Sequence, residues 1–256
     1  MAFSYNEILK IPERCLLHKR LTKAFFLKNF ALSAAEKKLL NNQIQGMEWL
    51  ASIKTTTANI PSIKTAAYVY EEIQIMICTL AQNELPTLGD KCISLLQKYI
   101  PYQMLVIVEE DQNFIINGCD KRINRKDSSK RTIEYYLSTP EMSKLYKNKI
   151  TTTFFEALDF SQLDKTNLEK TYQSYIQAIV QYRAAQVTGA FQQRNRDRSE
   201  QDMANLLEIE QIEKEIISLA QQITKEPQLK DKVNLNIRLQ SKRQTLKKLQ
   251  DNLNSE

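Results

Sequence analysis

The sequence predicts an α+β protein: an antiparallel-rich mixed sheet with helices on one face, followed by a long helix and an antiparallel coiled-coil hairpin. Three observations carry that expectation. Met104-Leu105-Val106-Ile107-Val108 is the most hydrophobic run in the chain and follows an amphipathic segment closed by Pro101, the pattern of a helix feeding a central strand. Only four glycines and six prolines occur in 256 residues of which 42% are apolar, which favours long helices over a barrel or propeller. From Ile209 onward, aliphatic residues recur at alternating three- and four-residue spacing, the period of a helical seam.

Taken in order, Tyr5 to about Leu16 reads as a short helix or loop containing Pro12, and the run His18-Lys19-Arg20-Leu21-Thr22-Lys23 leads to Phe25 and Phe26. Ser33 followed by Glu36 is a capping box, and Leu39, Leu40 and Ile44 supply the stripe of a helix from Ser33 to Gln45 that ends near Gly46. Trp49, Ala51 and Ile53 alternate with polar residues as in a half-buried strand, and Tyr68 to Leu80 offers another beyond Pro61. Thr87 is placed to cap a helix through Tyr99, with Leu88, Cys92, Leu95, Leu96 and Tyr99 on its apolar side. After the central strand, Glu109 to Asn113 reads as a hairpin turn into Phe114-Ile115-Ile116, and Thr132 to Leu137 as a further strand. The sum is roughly ααββαβββ, with alternative strand pairings open.

Leu168, Tyr172, Ile176, Ile179 and Val187 place a long helix from about Asp164, broken near Gly189, whose plain role is packing on the core. Arg194-Asn195-Arg196-Asp197-Arg198 then reads as a solvated polar linker. Ile209, Ile212, Ile216, Leu219 and Ile223 form one heptad arm, and Leu235, Leu239, Leu246, Leu249 and Leu253 the other, beyond Pro227. The expected organisation is therefore a core over 1–160, a helical extension with basic linker over 161–199, and the hairpin over 200–256. Arms of roughly 20 to 25 residues reach ~30 to 37 Å, so the hairpin projects past a small core unless it folds back. Glu208, Glu210, Glu213 and Glu215 stand on the first arm, against Lys230, Lys232, Arg238, Lys242, Arg243, Lys247 and Lys248 on the second. Two arms alone bury too little to offset their ordering, which predicts packing against the core, a second copy or a partner protein. Ile209, Ile212, Ile216, Leu219, Leu239, Leu246 and Leu249 are the candidate partner-binding residues.

Met1 to Lys10 lacks the basic and apolar regions of a secretory signal, and no stretch reaches the roughly 18 to 20 apolar residues of a spanning helix, so a cytoplasmic protein without membrane contact is expected. Cys15, Cys78, Cys92 and Cys119 show no C-x-x-C spacing and His18 is the only histidine, so neither a metal nor another cofactor is expected and the thiols read as buried. The isolated Gly46, Gly89, Gly118 and Gly189 exclude a phosphate-cradling loop.

A net charge of +6 is compatible with nucleic acid or an acidic partner. Lys121, Arg122, Arg125, Lys126, Lys130 and Arg131 place six cations in eleven residues, in an expected loop between strands. With Lys19, Arg20 and Lys23 nearby in space they form the candidate nucleic-acid patch; a merely solvated loop is the other reading, and no groove-reading motif supports sequence readout. Glu71, Glu72, Glu109, Glu110, Asp111 and Asp120 fall at or near strand ends, where metal-dependent nucleases hold carboxylates. Such enzymes pair a carboxylate with a second carboxylate and a lysine two residues apart on the next strand; no Glu-x-Lys lies in an expected sheet strand, and no catalytic residue is assigned. Cys15 and His18 lack an orienting group for nucleophilic chemistry.

The basic segment Lys19 to Lys23 with Phe25, the stretch from Ile44 to Trp49 leading to Ile53, Thr56, Thr57, Asn59 and Ile60, and Ile100-Pro101-Tyr102 together resemble the bacterial domain-of-unknown-function family 4391. Glu226-Pro227-Gln228 to Val233 with Leu235-Asn236 is similar to the terminal hairpin of many members. The resemblance covers most of residues 5 to 250, and none of these motifs is catalytic. It implies a genomic setting beside helicase-like ATPases and DNA methyltransferases in restriction-like or phage-defence loci. The expected function is thus a non-enzymatic accessory subunit that binds a helicase or methyltransferase, with DNA contact and self-association through the hairpin as further expectations. The alternative is a metal-dependent nuclease or other enzyme acting on nucleic acid.

Overall fold

In the computed structural model, which describes residues 3–254, α1 (Tyr5–Leu9) and a 3-10 turn at Glu13–Cys15 deliver the chain into β1 (Leu16–Arg20). His18 adopts a positive φ inside β1 and shifts its register against β2 (Ile44–Lys54), a bulge at the edge of the sheet. Between them lie α2 (Lys23–Asn29) and α3 (Ala34–Lys38). The capping box forms: Glu36 N–H donates to Ser33 Oγ at 3.2 Å and Ser33 N–H to Glu36 Oε2 at 2.7 Å. The helix does not continue to Gln45, because a π-helical turn at Leu39–Gln43 buries Leu39 and Leu40 and releases the chain into β2 at Ile44. After β2 come α4 (Thr55–Ala58), a small ribbon of β3 (Ile63–Lys64) and β4 (Val69–Tyr70), and β5 (Glu72–Leu80).

The next helix, α5 (Leu85–Tyr99), begins two residues before the expected Thr87. Its N-terminus is capped from a distance: Glu110 accepts from the backbone N–H groups of Leu85 at 2.6 Å, Glu84 at 2.7 Å and Asn83. Those are donors that the first helical turn cannot satisfy itself. Then follow β6 (Gln103–Glu110), a tight turn with Asp111 in the left-handed region, β7 (Asn113–Ile123), β8 (Arg131–Ser138), β9 (Met142–Ser143) and α6 (Lys149–Ala157). Seven strands form one mixed sheet in the order β1-β2-β5-β6-β7-β8, with β9 also on β7. Every pairing is antiparallel except β5 with β6, the pair that α5 connects.

One face of the sheet packs Met47, Met76, Cys78, Met104, Val106 and Val108 against Cys92, Ile93 and Leu96 of α5, with Phe26, Leu39 and Leu40 completing the layer. On this face Gln97 donates to Asn117 Oδ1 at 2.9 Å and to Met104 O at 3.1 Å. The expected helical layer is joined by a second on the opposite face, formed by the part of α7 (Leu168–Thr188) up to Ile179. Gly118, the residue after Asn117, points there, and a Cβ on it would lie 2.5 Å from Ile176 Cδ1. The Tyr172 hydroxyl donates to Cys119 O at 2.6 Å and accepts from Cys119 N–H at 3.0 Å, so the helix is fixed to the β7 backbone. Gly189, at φ +80°, ends α7 in the conformation glycine adopts without steric cost.

Two compact units divide the chain, Met1–Ile179 and Val180–Glu256, and the boundary falls within α7. In the second unit Asn195 caps α8 (Arg196–Lys225), which pairs antiparallel with α9 (Leu229–Asn254). The stretch expected as a solvated linker is therefore largely the first turn of a helix. Arg198 and Arg194 lie 3.0 and 3.7 Å from the buried Asp202 carboxylate, so two of its cations serve packing. Among the described residues no helix is long and apolar enough to cross a membrane.

Candidate nucleic-acid and partner interfaces

β7 runs on through Ile123, and this removes Lys121 from the expected loop. Lys121 is fully buried, and its ammonium donates to Ile100 O at 2.7 Å and Tyr102 O at 2.8 Å, the carbonyls that leave the C-terminus of α5. Burial pushes its pKa down to about 8. A side chain so placed holds the helix end and is withdrawn from any surface patch. Beyond it, residues 124–130 form a loop shaped by Asn124, whose Oδ1 accepts from Lys126 N–H at 2.9 Å and Asp127 N–H at 3.2 Å. Arg122 pairs with Glu134 at 2.9 Å, Lys130 with Asp127 at 3.1 Å, and the Arg131 guanidinium donates to Ser128 O and Lys130 O. Arg125 and Lys126 are exposed at the tip with no ion pair among the described residues.

Lys19, Arg20 and Lys23 do not join this loop. β1 and β8 are opposite edges of the sheet, and five interstrand steps of ~4.8 Å separate them by roughly 24 Å. Lys19 and Arg20 lie exposed on the β1 edge, where charge discourages pairing with another chain. Lys23 donates to Asn41 O at 2.8 Å. The neighbouring His18 Nδ1 lies 2.8 Å from Glu48, whereas the buried Cys15 thiol donates to Thr57 O, so these two side chains have separate partners.

Of the strand-end carboxylates, Glu109, Glu110 and Asp120 have structural partners. Burial opposes ionisation of Glu109, yet bonds from Lys144 at 2.8 Å, Tyr5 at 2.7 Å and Thr79 at 3.0 Å outweigh it and hold the carboxyl below its usual range. Glu110 is likewise kept ionised against its desolvation by the backbone donors of α5. Asp120 goes the other way: burial raises its pKa despite bonds from Tyr70 at 3.0 Å and Gln173 at 3.2 Å. The nearest approach to a nuclease strand pair is Glu72-Ile73-Gln74, which faces Lys54, Ile53 and Ser52 across β5 and β2. Gln74 stands where the lysine would be, donates to Glu72 and accepts from Trp49 Nε1 at 2.6 Å; Ser52 stands across from it without a carboxylate. The Glu-x-Gln spacing was available in the sequence, but the strand pairing that gives it meaning was not. Among the described residues no three His, Cys, Asp or Glu side chains converge in a geometry for a metal.

The candidate partner-binding residues close the hairpin on itself. Ile209, Ile212, Leu219, Leu239 and Leu249 are buried and Ile216 and Leu246 half-buried, so the seam is occupied by the two arms. Glu215 and Lys242 pair across it at 2.6 Å. Aliphatic side chains that remain exposed lie elsewhere on the arms, at Ile217, Leu229, Val233 and Ile237, and heptad reading passed over them because they fall outside the seam.

Neither curated proteins nor solved structures give a match to this chain. The sequence model of DUF4391, a domain of unknown function, matches residues 9–246, and the chain belongs to that family.

Proposed function

We propose that this chain is a non-enzymatic accessory subunit of a bacterial restriction-like or phage-defence complex, which holds nucleic acid beside a helicase or methyltransferase partner. The observation that carries the nucleic-acid part is the β7–β8 loop, where Asn124 orders the backbone and leaves Arg125 and Lys126 unpaired at the tip. Two exposed, unpaired cations on an ordered backbone supply phosphate attraction without base readout, so binding would be sequence-independent and salt-dependent. Support for an accessory role comes from Glu109, Glu110 and Asp120, each held by partners that serve the fold. Metal-dependent cleavage would instead have to be built on Glu72, with Ser52 and Gln74 in the places of the second carboxylate and the lysine.

Fluorescence anisotropy with a labelled duplex and a labelled single strand tests the loop. Arg125→Ala with Lys126→Ala should weaken binding of every sequence alike and lower the slope of log affinity against log salt by about 1.4 to 1.8. Unchanged affinity and slope would remove the loop from the reading. The partner is tested by affinity capture of the full chain from its host after nuclease digestion: retention of a helicase or methyltransferase supports the complex, and its loss on digestion leaves only a shared nucleic acid.

A further inference from the structure

We infer that the cleft between α1, the β6–β7 turn and α6 is a docking site for lysine or arginine side chains of a partner polypeptide. Its volume of about 790 Å³ lies within the range of ligand pockets. Glu7 of α1, Asp111 of the turn and Glu156 of α6 line it. All three are exposed, and none has an ion pair among the described residues; Asp111 accepts only a 3.4 Å bond from the side chain of its neighbour Gln112. Phe3 and Phe155 supply the apolar part of the lining, and the Lys147 ammonium lies over both rings, 5.8 and 5.7 Å from their centres. Two ring faces are thus already presented to a cation, which their electron distribution attracts.

The cleft also carries lysines, and what they are bound to decides the sign of its ligand. Lys10 is paired with Asp159 at 2.6 Å, and Lys144 with Glu109 at 2.8 Å and with Asp111 O at 2.7 Å. Lys147 has no ion pair among the described residues, so one uncommitted ammonium stands against three uncommitted carboxylates. An anion would meet net repulsion there, whereas an ammonium or guanidinium gains both the carboxylates and the ring faces. Lys147 then acts as a placeholder, its own cation resting where an incoming one would sit. The rim says that the cation belongs to a polypeptide. Leu145 lines the cleft and is 78% exposed, and Tyr146 beside it is 70% exposed, apolar surface that suits the long stems of basic side chains and not a small hydrated ion. Since the chain as a whole carries +6, a basic segment is held by this local charge against the field of the molecule.

Fluorescence anisotropy of a dye-labelled hexa-arginine peptide with the purified full chain tests the site. The expected result is saturable binding that Glu7→Gln with Glu156→Gln weakens by about tenfold, while Glu208→Gln with Glu213→Gln, which removes as much charge from α8, leaves it within about twofold. Lys147→Met should tighten binding by about threefold or more, because it frees the two rings. These positions are all exposed, so far-UV circular dichroism should be retained in each variant. Absence of saturable binding, equal loss in the two glutamine pairs, or weakening by Lys147→Met overturns the inference. So does displacement of the peptide by an equal concentration of spermidine, which would assign the cleft to a free polyamine. Since only the purified chain and the peptide are used, the result stands apart from the loop's hold on nucleic acid and from capture of a helicase or methyltransferase: either can fail while the other holds.

Discussion

Replacing Gly118 by alanine probes how closely α7 is seated on the sheet. The new Cβ would lie 2.5 Å from Ile176 Cδ1, 3.5 Å from the Tyr172 hydroxyl and 3.7 Å from Ile179 Cδ1. The last two are ordinary contacts, so the strain is confined to one methyl group. Carbon atoms settle at about 3.5 to 4.0 Å, and Ile176 is buried, so relieving the ~1 Å overlap means an off-rotamer isoleucine or a displaced helix. Overpacking of this kind costs about 1 to 3 kcal/mol, against which alanine recovers about 0.5 to 1 kcal/mol of chain entropy in the unfolded state, leaving a net loss of up to about 2.5 kcal/mol, centred on about 1. Ile176→Val removes the offending Cδ1 and by itself costs about 0.5 to 1.5 kcal/mol. If that methyl is the cause, the double variant is no less stable than Gly118→Ala alone, and the two changes couple by about 1 kcal/mol or more. Trp49, the only tryptophan, sits in β2, so urea unfolding followed by its fluorescence reports on the sheet. Strictly additive effects of the two substitutions would show that α7 is not packed on Gly118 in this way.

The buried Lys121 makes a second prediction. Its folded pKa lies below the unfolded value, so the folded state loses the proton first; the cost is complete below about pH 8 and is relieved as pH rises towards about 10.5. Comparing Lys121→Met with the parent in urea at intervals from about pH 7 to about pH 10, the parent should gain on the variant by up to about 3 kcal/mol. A pH-independent difference would mean the lysine is already neutral or solvated. Glu110→Gln keeps the shape of the α5 cap and removes its charge, so it should lower stability by about 1 kcal/mol at neutral pH. That difference should vanish in acid as the parent carboxyl itself protonates below its lowered pKa, and a difference that persists there would assign the loss to another cause.

Periodicity exposes some structural levels and hides others. The Ser33–Glu36 box, the Met104–Val108 strand, the end of α7 at Gly189 and the two hairpin arms are local patterns, so they could be read directly. The long-range pieces were hidden. Glu110 looks like a turn acid until the fold brings it to the N-terminus of α5, 25 residues earlier in the chain than Glu110 itself. Lys121 looks like one member of a basic run, although alternation along β7 sends it inward beneath the C-terminus of the same helix. The nine basic residues of the candidate patch appeared as one set because sequence does not record sheet order, and β1 and β8 turn out to be opposite edges. Likewise the heptad pattern identified which aliphatics close the hairpin, but not that the closed hairpin would leave others exposed.

These misplacements share a cause that bears on function. Where a charged group is contacted by several fixed donors, as at Glu109 and Glu110, any change of protonation or ligation during a reaction would cost those bonds, so such a group is better suited to holding elements together than to turnover. Groups with no such commitments can take a partner without that loss. In the first unit these include Arg125 and Lys126 on an ordered loop; in the second they include Arg243 and the exposed aliphatics of α9. Each set lies at the surface. Buried charges held by several donors serve the fold, and the peripheral charges without such partners are the ones that the loop substitutions test.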